Sequence, residues 1–197
     1  FFKMLSKSAI LAAMKRGEIK IHPFHENQLG PNGYDLHLGG KMLVMDCEAV
    51  RKDGLIELLD VTRDISDFYE EILPRKGYFT LYPNNLYLGV TMEYTQSFGY
   101  VPQMEGKSSL GRMGIEGHVC AGLGDDGFCG HWTLEIRVMR PVAIPLGCPI
   151  GQLVWHPVVY EGEKPEYGGY RKTGSYNNTS PEPGIPNLWK KPHQFLG

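Results

Sequence analysis

The hydrophobic pattern begins with a helix. In "LSKSAILAAMKRGEIKI", Ile10, Leu11, Ala13 and Met14 recur at helical spacing and form one apolar stripe. Ser6 is a good N-cap, Leu5 can staple the first turn, and Lys15 and Arg16 suit the negative end of the helix dipole. Gly17 supplies the left-handed stop. Ile19 and Ile21 then alternate as a short strand before Pro23.

From there the period is two. "YDLHLG" alternates Tyr34, Leu36 and Leu38, and "KMLVMD" follows. Residues 46–76 are charged and poorly periodic, which predicts a loop-rich excursion with a short strand at 55–59. "YFTLYPNNLYLGVTMEYT" reads as two strands around a turn at Pro83, Asn84 and Asn85. "HWTLEIRV" and "IGQLVWHPVVY" are further strands, separated by the turn-rich "RPVAIPLGCP". One helix, many short strands, 25 Gly and 14 Pro predict a mostly β chain, a β-barrel or jelly-roll-like sandwich.

Composition changes near residue 161. "EGEKPEYGGYRKTGSYNNTSPEPGIPNLWKKPHQFLG" is too rich in Gly, Pro and Asn to bury a core of its own. Tyr167, Tyr170, Tyr176 and Trp189 are nonetheless unusual in a purely solvated tail. The expectation is therefore a β domain with an N-terminal helix over residues 1–160, and an extended C-terminal lid segment over 161–197 that orders on a ligand or a neighbouring subunit.

Charge and cysteines narrow the classes. The 197 residues carry a formal net charge of −2 and no basic stripe, which argues against nucleic acid as a partner. No apolar run is long enough to span a membrane, and the N-terminus lacks the apolar centre of a secretory signal. Cys47, Cys120, Cys129 and Cys148 fit no zinc spacing and form no CxxC, so they read as reduced thiols in a cytoplasmic protein. His22, His25 and His37 are close in sequence, but strand alternation separates them, and no metal site is expected from them.

Two stretches can carry chemistry. In "EGKSSLGRMGI", Lys107, Ser108, Ser109 and Arg112 lie among Gly106, Gly111 and Gly114. Hydroxyls, cations and free backbone N–H groups so placed can wrap phosphate oxygens, or can form an ordinary loop or cap. The P-loop pattern GxxxxGK[ST] is absent. In "GDDGFCGHWTLEI", Asp125 and Asp126 are turn formers before a glycine, Phe128 can be plain core, and Glu135 falls within a strand. Alternation puts Trp132, Leu134 and Ile136 on one face and Thr133, Glu135 and Arg137 on the other. Glu135 is then either a solvated residue on the wet face of an edge strand or a carboxylate lining a pocket.

The order of these pieces resembles the trimeric dUTPase superfamily, and specifically its dCTP deaminase branch. "LSKSAILAAMKRGEIKIHPF", "LGPNGYDLHLG", "EGKSSLGRMGI", "HVCAGLGDDGFCGHWTLEI", "PIGQLVWHP" and "YRKTGSYNNTSPEP" occur in the family's order. The resemblance implies a dUTPase-like fold and a homotrimer with active sites between subunits, closed by the C-terminal segment. It implies hydrolytic deamination of dCTP to dUTP and ammonia, or onward to dUMP and pyrophosphate. By the same resemblance Ser108 and Arg112 line the reaction centre, Glu135 is the base that separates deaminases from plain dUTPases, and the carbonyl of Ala121 helps hold water. Asp125 would meet the deoxyribose 3′-hydroxyl and Phe128 would pack on the sugar. Lys107, Ser109, Gln152, Tyr167, Tyr170, Lys172 and Tyr176 would complete the substrate site. Mg2+ would arrive bound to the triphosphate, and zinc is not expected, because neither half of the H-x-E…P-C-x-x-C signature occurs.

The chain departs from the family pattern at several places. Gly124 stands where an apolar residue is usual, and Asp126 where Pro or Ala is commoner; Asp126 would add negative charge near the sugar, slowing binding or attracting a second metal. Where the family's tail often carries a Lys-Tyr pair and a nearby Gln, this chain has Ser175-Tyr176 and Thr179, so two phosphate contacts change, with Arg171 and Lys172 as substitutes. The asparagine that many single-function deaminases show soon after the glutamate is missing, as it can be in forms that also hydrolyse the triphosphate. The alternatives are a dUTPase without deaminase activity and a non-catalytic nucleotide-binding homologue.

Overall fold

The computed structural model describes residues 3–46, 59–60, 65–119 and 122–162. Helix α1 spans Lys7–Lys15, with Ser6 Oγ accepting from the Ala9 amide at 3.4 Å and Gly17 at φ +73° ending it. Ile10 and Ala13 are fully buried, and Leu5, Leu11 and Met14 pack beside them. The strand β1 (Ile19–His22) follows with alternating burial, Ile19 and Ile21 inward.

The remaining strands are β2 (Tyr34–Asp46), β3 (Tyr69–Ile72), β4 (Tyr78–Leu81), β5 (Asn85–Ser97), β6 (Tyr100–Gly106), β7 (Ile115–Glu116), β8 (Cys129–Val138), β9 (Val142–Pro145) and β10 (Pro149–Pro157). A four-residue helix, α2 (Ser108–Gly111), joins β6 to β7. The main sheet runs β6-β10-β2-β5-β8-β7, with β1 also on β5 and β3 also on β2; β4 and β9 form a separate pair. The strand pairs are antiparallel throughout. This is the mostly β, barrel-like architecture with an N-terminal helix that the pattern predicts. Among the described residues no helix is long and apolar enough to cross a membrane.

The core lies between the inward faces of these strands. Tyr34, Leu36 and Leu38 of β2, Leu134 and Ile136 of β8, and Leu153 and Trp155 of β10 are fully buried. Polar groups among them are paired, as burial requires. The Trp155 indole donates to Ser97 Oγ and the Trp132 indole to Thr95 Oγ1, each at 2.9 Å. Glu93, 2% exposed, accepts from the His37 backbone amide at 2.9 Å and lies 2.7 Å from His37 Nδ1. The other ring nitrogen of His37 meets the Gln28 amide at 3.3 Å. His37 thus belongs to a structural network and, among the described residues, no group of three His, Cys, Asp or Glu is gathered in a way that could hold a metal.

Pairing between strands adds to the local reading and, in the stretch before β10, amends it. "YDLHLG" and "KMLVMD" form one strand, with an irregularity in its pairing to β5 between Leu38 and Met42. There the backbone closes on its neighbour: a Cβ on Gly39 would stand 2.9 Å from the Val90 carbonyl. Residues 55–58 of the expected strand at 55–59 lie outside the described residues, while Leu59 is exposed and not in a strand, and the element present nearby is β3. β4 and β5 flank the expected turn, with Asn84 at φ +65°, but they do not pair with each other. β4 pairs instead with β9, which lies inside the stretch expected to be turns, because Phe79, Leu81 and Ile144 must share one buried face.

Trp155→Ala should destabilise the fold by about 3–5 kcal/mol, since it removes a fully buried indole and strands its hydrogen-bond partner. Urea denaturation checks this; a loss below about 1 kcal/mol would mean the site collapses around the cavity.

Candidate active site

The site begins with β8. Its inward residues Trp132, Leu134, Ile136 and Val138 are buried, which turns Thr133, Glu135 and Arg137 to the opposite face. Glu135 is half-buried there, opposite Leu88 of β5. The Val119 amide donates to its Oε2 at 3.2 Å. A backbone amide is a fixed donor, so this contact orients the carboxylate. His118, one residue earlier and missed in the sequence, has a buried Nδ1 with no hydrogen-bond partner. Cys120 and Ala121, whose carbonyl the resemblance assigns to water, lie outside the described residues.

The serine segment is a single tight turn. Leu110 and Gly111 both donate to the Lys107 carbonyl at 3.0 Å, and Arg112 donates to the Ser108 carbonyl at 3.1 Å. Leu110 is the buried anchor, and Ser108, Ser109 and Arg112 are exposed around it. Three residues on, β7 pairs with Arg137 and Val138 of β8. The turn bearing Ser108 and Arg112 is therefore tied to the strand that carries Glu135.

Lys107 points elsewhere. Its ammonium lies 2.6 Å from Asp35 Oδ1 on β2. Gln152 of β10 sits in register between Asp35 of β2 and Glu105 of β6, so the three share the sheet face away from the core. Glu105 in turn accepts from Gln103 Nε2 at 2.5 Å. Lys107 and Gln152, both expected in the substrate site, are thus brought together with two carboxylates that sequence reasoning missed. Register across non-consecutive strands carries no local signal that could have found them. Cys148 is a free thiol whose pKa is pushed up by burial, with Lys107 opposing the shift. The Cys129 thiol donates to the Gly127 carbonyl at 3.4 Å, and Cys47 and Cys120 lie outside the described residues.

The aspartate turn is built around glycines. Gly124 donates to the Pro102 carbonyl at 2.8 Å, and the Phe128 amide donates to the Asp125 carbonyl at 3.0 Å. Gly127 adopts φ +96°. Asp125 is exposed, while Phe128 is buried and packs on Trp132 with ring centroids 4.8 Å apart. Phe128 therefore serves the core, one of the two roles open from sequence. Gly124 also has a physical reason: a Cβ there would stand 2.6 Å from Trp132 Cη2. The indole fills the space an apolar residue 124 would need. Tyr167, Tyr170, Lys172 and Tyr176 lie outside the described residues.

A family model described as dCTP deaminase-like matches residues 4–158. The chain belongs to that family. It is 40% identical over 168 residues to a protein of Clostridium acetobutylicum named dCTP deaminase, dUMP-forming, covering 85% of this chain and 88% of that protein. A protein of the same name from Cytophaga hutchinsonii is 39% identical over 163 residues, covering 82% of this chain and 83% of that one. Among solved structures, 2′-deoxycytidine 5′-triphosphate deaminase from Agrobacterium tumefaciens superposes with a TM-score of 0.60 at 21% identity. That likeness covers 80% of this chain, which spans about half (48%) of the Agrobacterium chain, and it bears on the fold. Membership in the dCTP deaminase-like family places Glu135, the Ser108–Arg112 turn and Asp125 within matched sequence.

The Gly124–Trp132 contact makes a prediction about this family member. Gly124→Val should lower stability by roughly 1–3 kcal/mol through overpacking, and a second substitution, Trp132→Leu, should recover part of that loss. Chemical denaturation of the single and double variants checks this; strictly additive losses would contradict it.

Proposed function

We propose that this chain hydrolytically deaminates dCTP without zinc and carries the product on to dUMP and pyrophosphate. The observation that carries the reading is the Glu135 carboxylate: half-buried, turned away from the core and oriented by the Val119 amide. In this reading water loses a proton to Glu135 as its oxygen adds to C4 of cytosine. That proton passes to N3 as the adduct forms, the adduct's hydroxyl proton then moves by way of Glu135 to the exocyclic nitrogen, the C4–N bond breaks, ammonia leaves and C4 becomes a carbonyl. Such general acid–base help is typically worth about 10²–10⁴-fold. Arg112 balances the charge that develops, and Ser108 positions the water or the amine. Because the proton has a protein acceptor, no metal-bound hydroxide is needed.

Lys107 and Ser109 hold phosphate oxygens, with Gln152 beside them, and Asp125 meets the sugar 3′-hydroxyl. Asp35 keeps the Lys107 ammonium in place until an anion arrives. Magnesium, a hard cation preferring oxygen ligands, would be carried by the triphosphate and would offset its charge there. Tyr167, Tyr170, Lys172 and Tyr176 would close the site as a lid, in a homotrimer whose active sites lie between subunits. The dUMP-forming names of relatives near 40% identity support the second step, as does the missing asparagine after Glu135.

Incubation with dCTP and magnesium, with separation of products, should give ammonia, pyrophosphate and dUMP in equal amounts and no build-up of dUTP. Ammonia with accumulating dUTP would restrict the activity to deamination. Pyrophosphate from dUTP with dCTP untouched would make the chain a dUTPase, and binding without turnover a non-catalytic homologue. Lys107→Gln should raise KM for dCTP by roughly tenfold, the scale of one charge-assisted hydrogen bond, and leave kcat nearly unchanged.

A further inference from the structure

Asp126 is the residue of the aspartate turn that the deamination chemistry leaves unused. Neighbouring Asp125 is exposed, but Asp126 is half-buried and its two carboxylate oxygens are divided between two other parts of the chain. Oδ1 accepts from the Gly99 amide at 2.7 Å, and Oδ2 accepts from the Tyr160 hydroxyl. Gly99, at φ +77°, forms the bend between β5 and β6. Tyr160 lies just beyond β10, where the chain is held to the same bend by the Val158 amide donating to the Gly99 carbonyl at 3.1 Å. The turn itself is joined to the end of β5 by Gly127 donating to the Ser97 carbonyl at 2.9 Å and Ser97 donating to the Phe128 carbonyl at 3.2 Å.

Three segments distant in sequence therefore meet at one carboxylate. Burial, reinforced by Asp126, pushes the Tyr160 hydroxyl well above the ordinary phenol range, so it remains a donor. The carboxylate is already engaged by two donors, which does not suit the free charge or second metal position expected from sequence. Its position does suit a strut for the turn that carries Asp125.

We propose that Asp126 is a positioning residue: held by Gly99 and Tyr160, it fixes the turn that presents Asp125 to the deoxyribose, and so sets nucleotide affinity through its neighbour. This rests on the dCTP reading of the site. Tyr160 is the second half of the device, and its contribution passes through the same carboxylate.

The test is steady-state kinetics with dCTP for Asp126→Ala, Asp126→Asn, Tyr160→Phe and the double variant Asp126→Ala/Tyr160→Phe, each checked for folding by thermal melting. Asp126→Ala and Tyr160→Phe should each raise KM about five- to tenfold, the factor matching one hydrogen bond of ordinary net strength, with kcat changed less than about twofold. Asp126→Asn keeps an oxygen for Gly99 and an amide for Tyr160 and should stay within about twofold of the parent. The double variant should be no worse than Asp126→Ala, because both changes remove the same contact. Unchanged KM, a matching fall in kcat, or additive effects would overturn the proposal. So would a lower KM in both the Asn and Ala variants, which would make the charge the operative feature. If the parent does not turn over dCTP, the functional reading fails, and calorimetric titration with dUTP and dUMP judges the same series. A parent that binds neither overturns both.

Discussion

Everything functional here depends on the register of β8 against β5. The side-chain period of a strand is two, so a slip of one residue would exchange its faces. Trp132, Leu134, Ile136 and Val138 fix the choice by filling the core, and burial of such side chains stabilises by about 1.5–3 kcal/mol each. Glu135 is turned to the other face as a consequence. The carboxylate's position is therefore set mainly by its apolar neighbours, and the Val119 amide only trims its orientation.

The same alternation acts in β2 and β10. Tyr34, Leu36 and Leu153 hold β2 and β10 to the core, which leaves Asp35 and Gln152 on the opposite face beside Lys107. Inward hydrophobic residues thus position both the proposed proton acceptor and the proposed phosphate-holding groups. The turns between strands carry the rest: the Lys107–Arg112 segment is anchored by Leu110, and the Asp125 turn by Phe128, Trp132 and Asp126. Gly124 shows how closely the pieces fit, since a single added carbon would strike the Trp132 ring.

Local patterns were legible in the sequence and non-local ones were not. Helix α1 and the alternation at Tyr34, Leu36 and Leu38 follow from spacing alone, and the structure has both. The outward face of Glu135 could also be read, because Trp132, Leu134 and Ile136 mark the inward one. β3 and β9 were hidden because each is four residues long, one charged and the other bounded by prolines. The Lys107–Asp35 pair joins residues 72 positions apart, and no local period encodes that. Asp126 read as a turn former because Asp before Gly usually is one; its partners Gly99 and Tyr160 come from the β5–β6 bend and the end of β10.

The proposed chemistry turns on the Glu135 carboxylate accepting the proton of the attacking water. Glu135→Gln keeps the shape and the oxygen that faces the Val119 amide but cannot accept that proton. Paired measurement of ammonia release and dCTP binding on this variant should show release falling by roughly 10²-fold or more while dCTP still binds. Ammonia release at the parent rate would remove Glu135 from the chemistry and contradict the account.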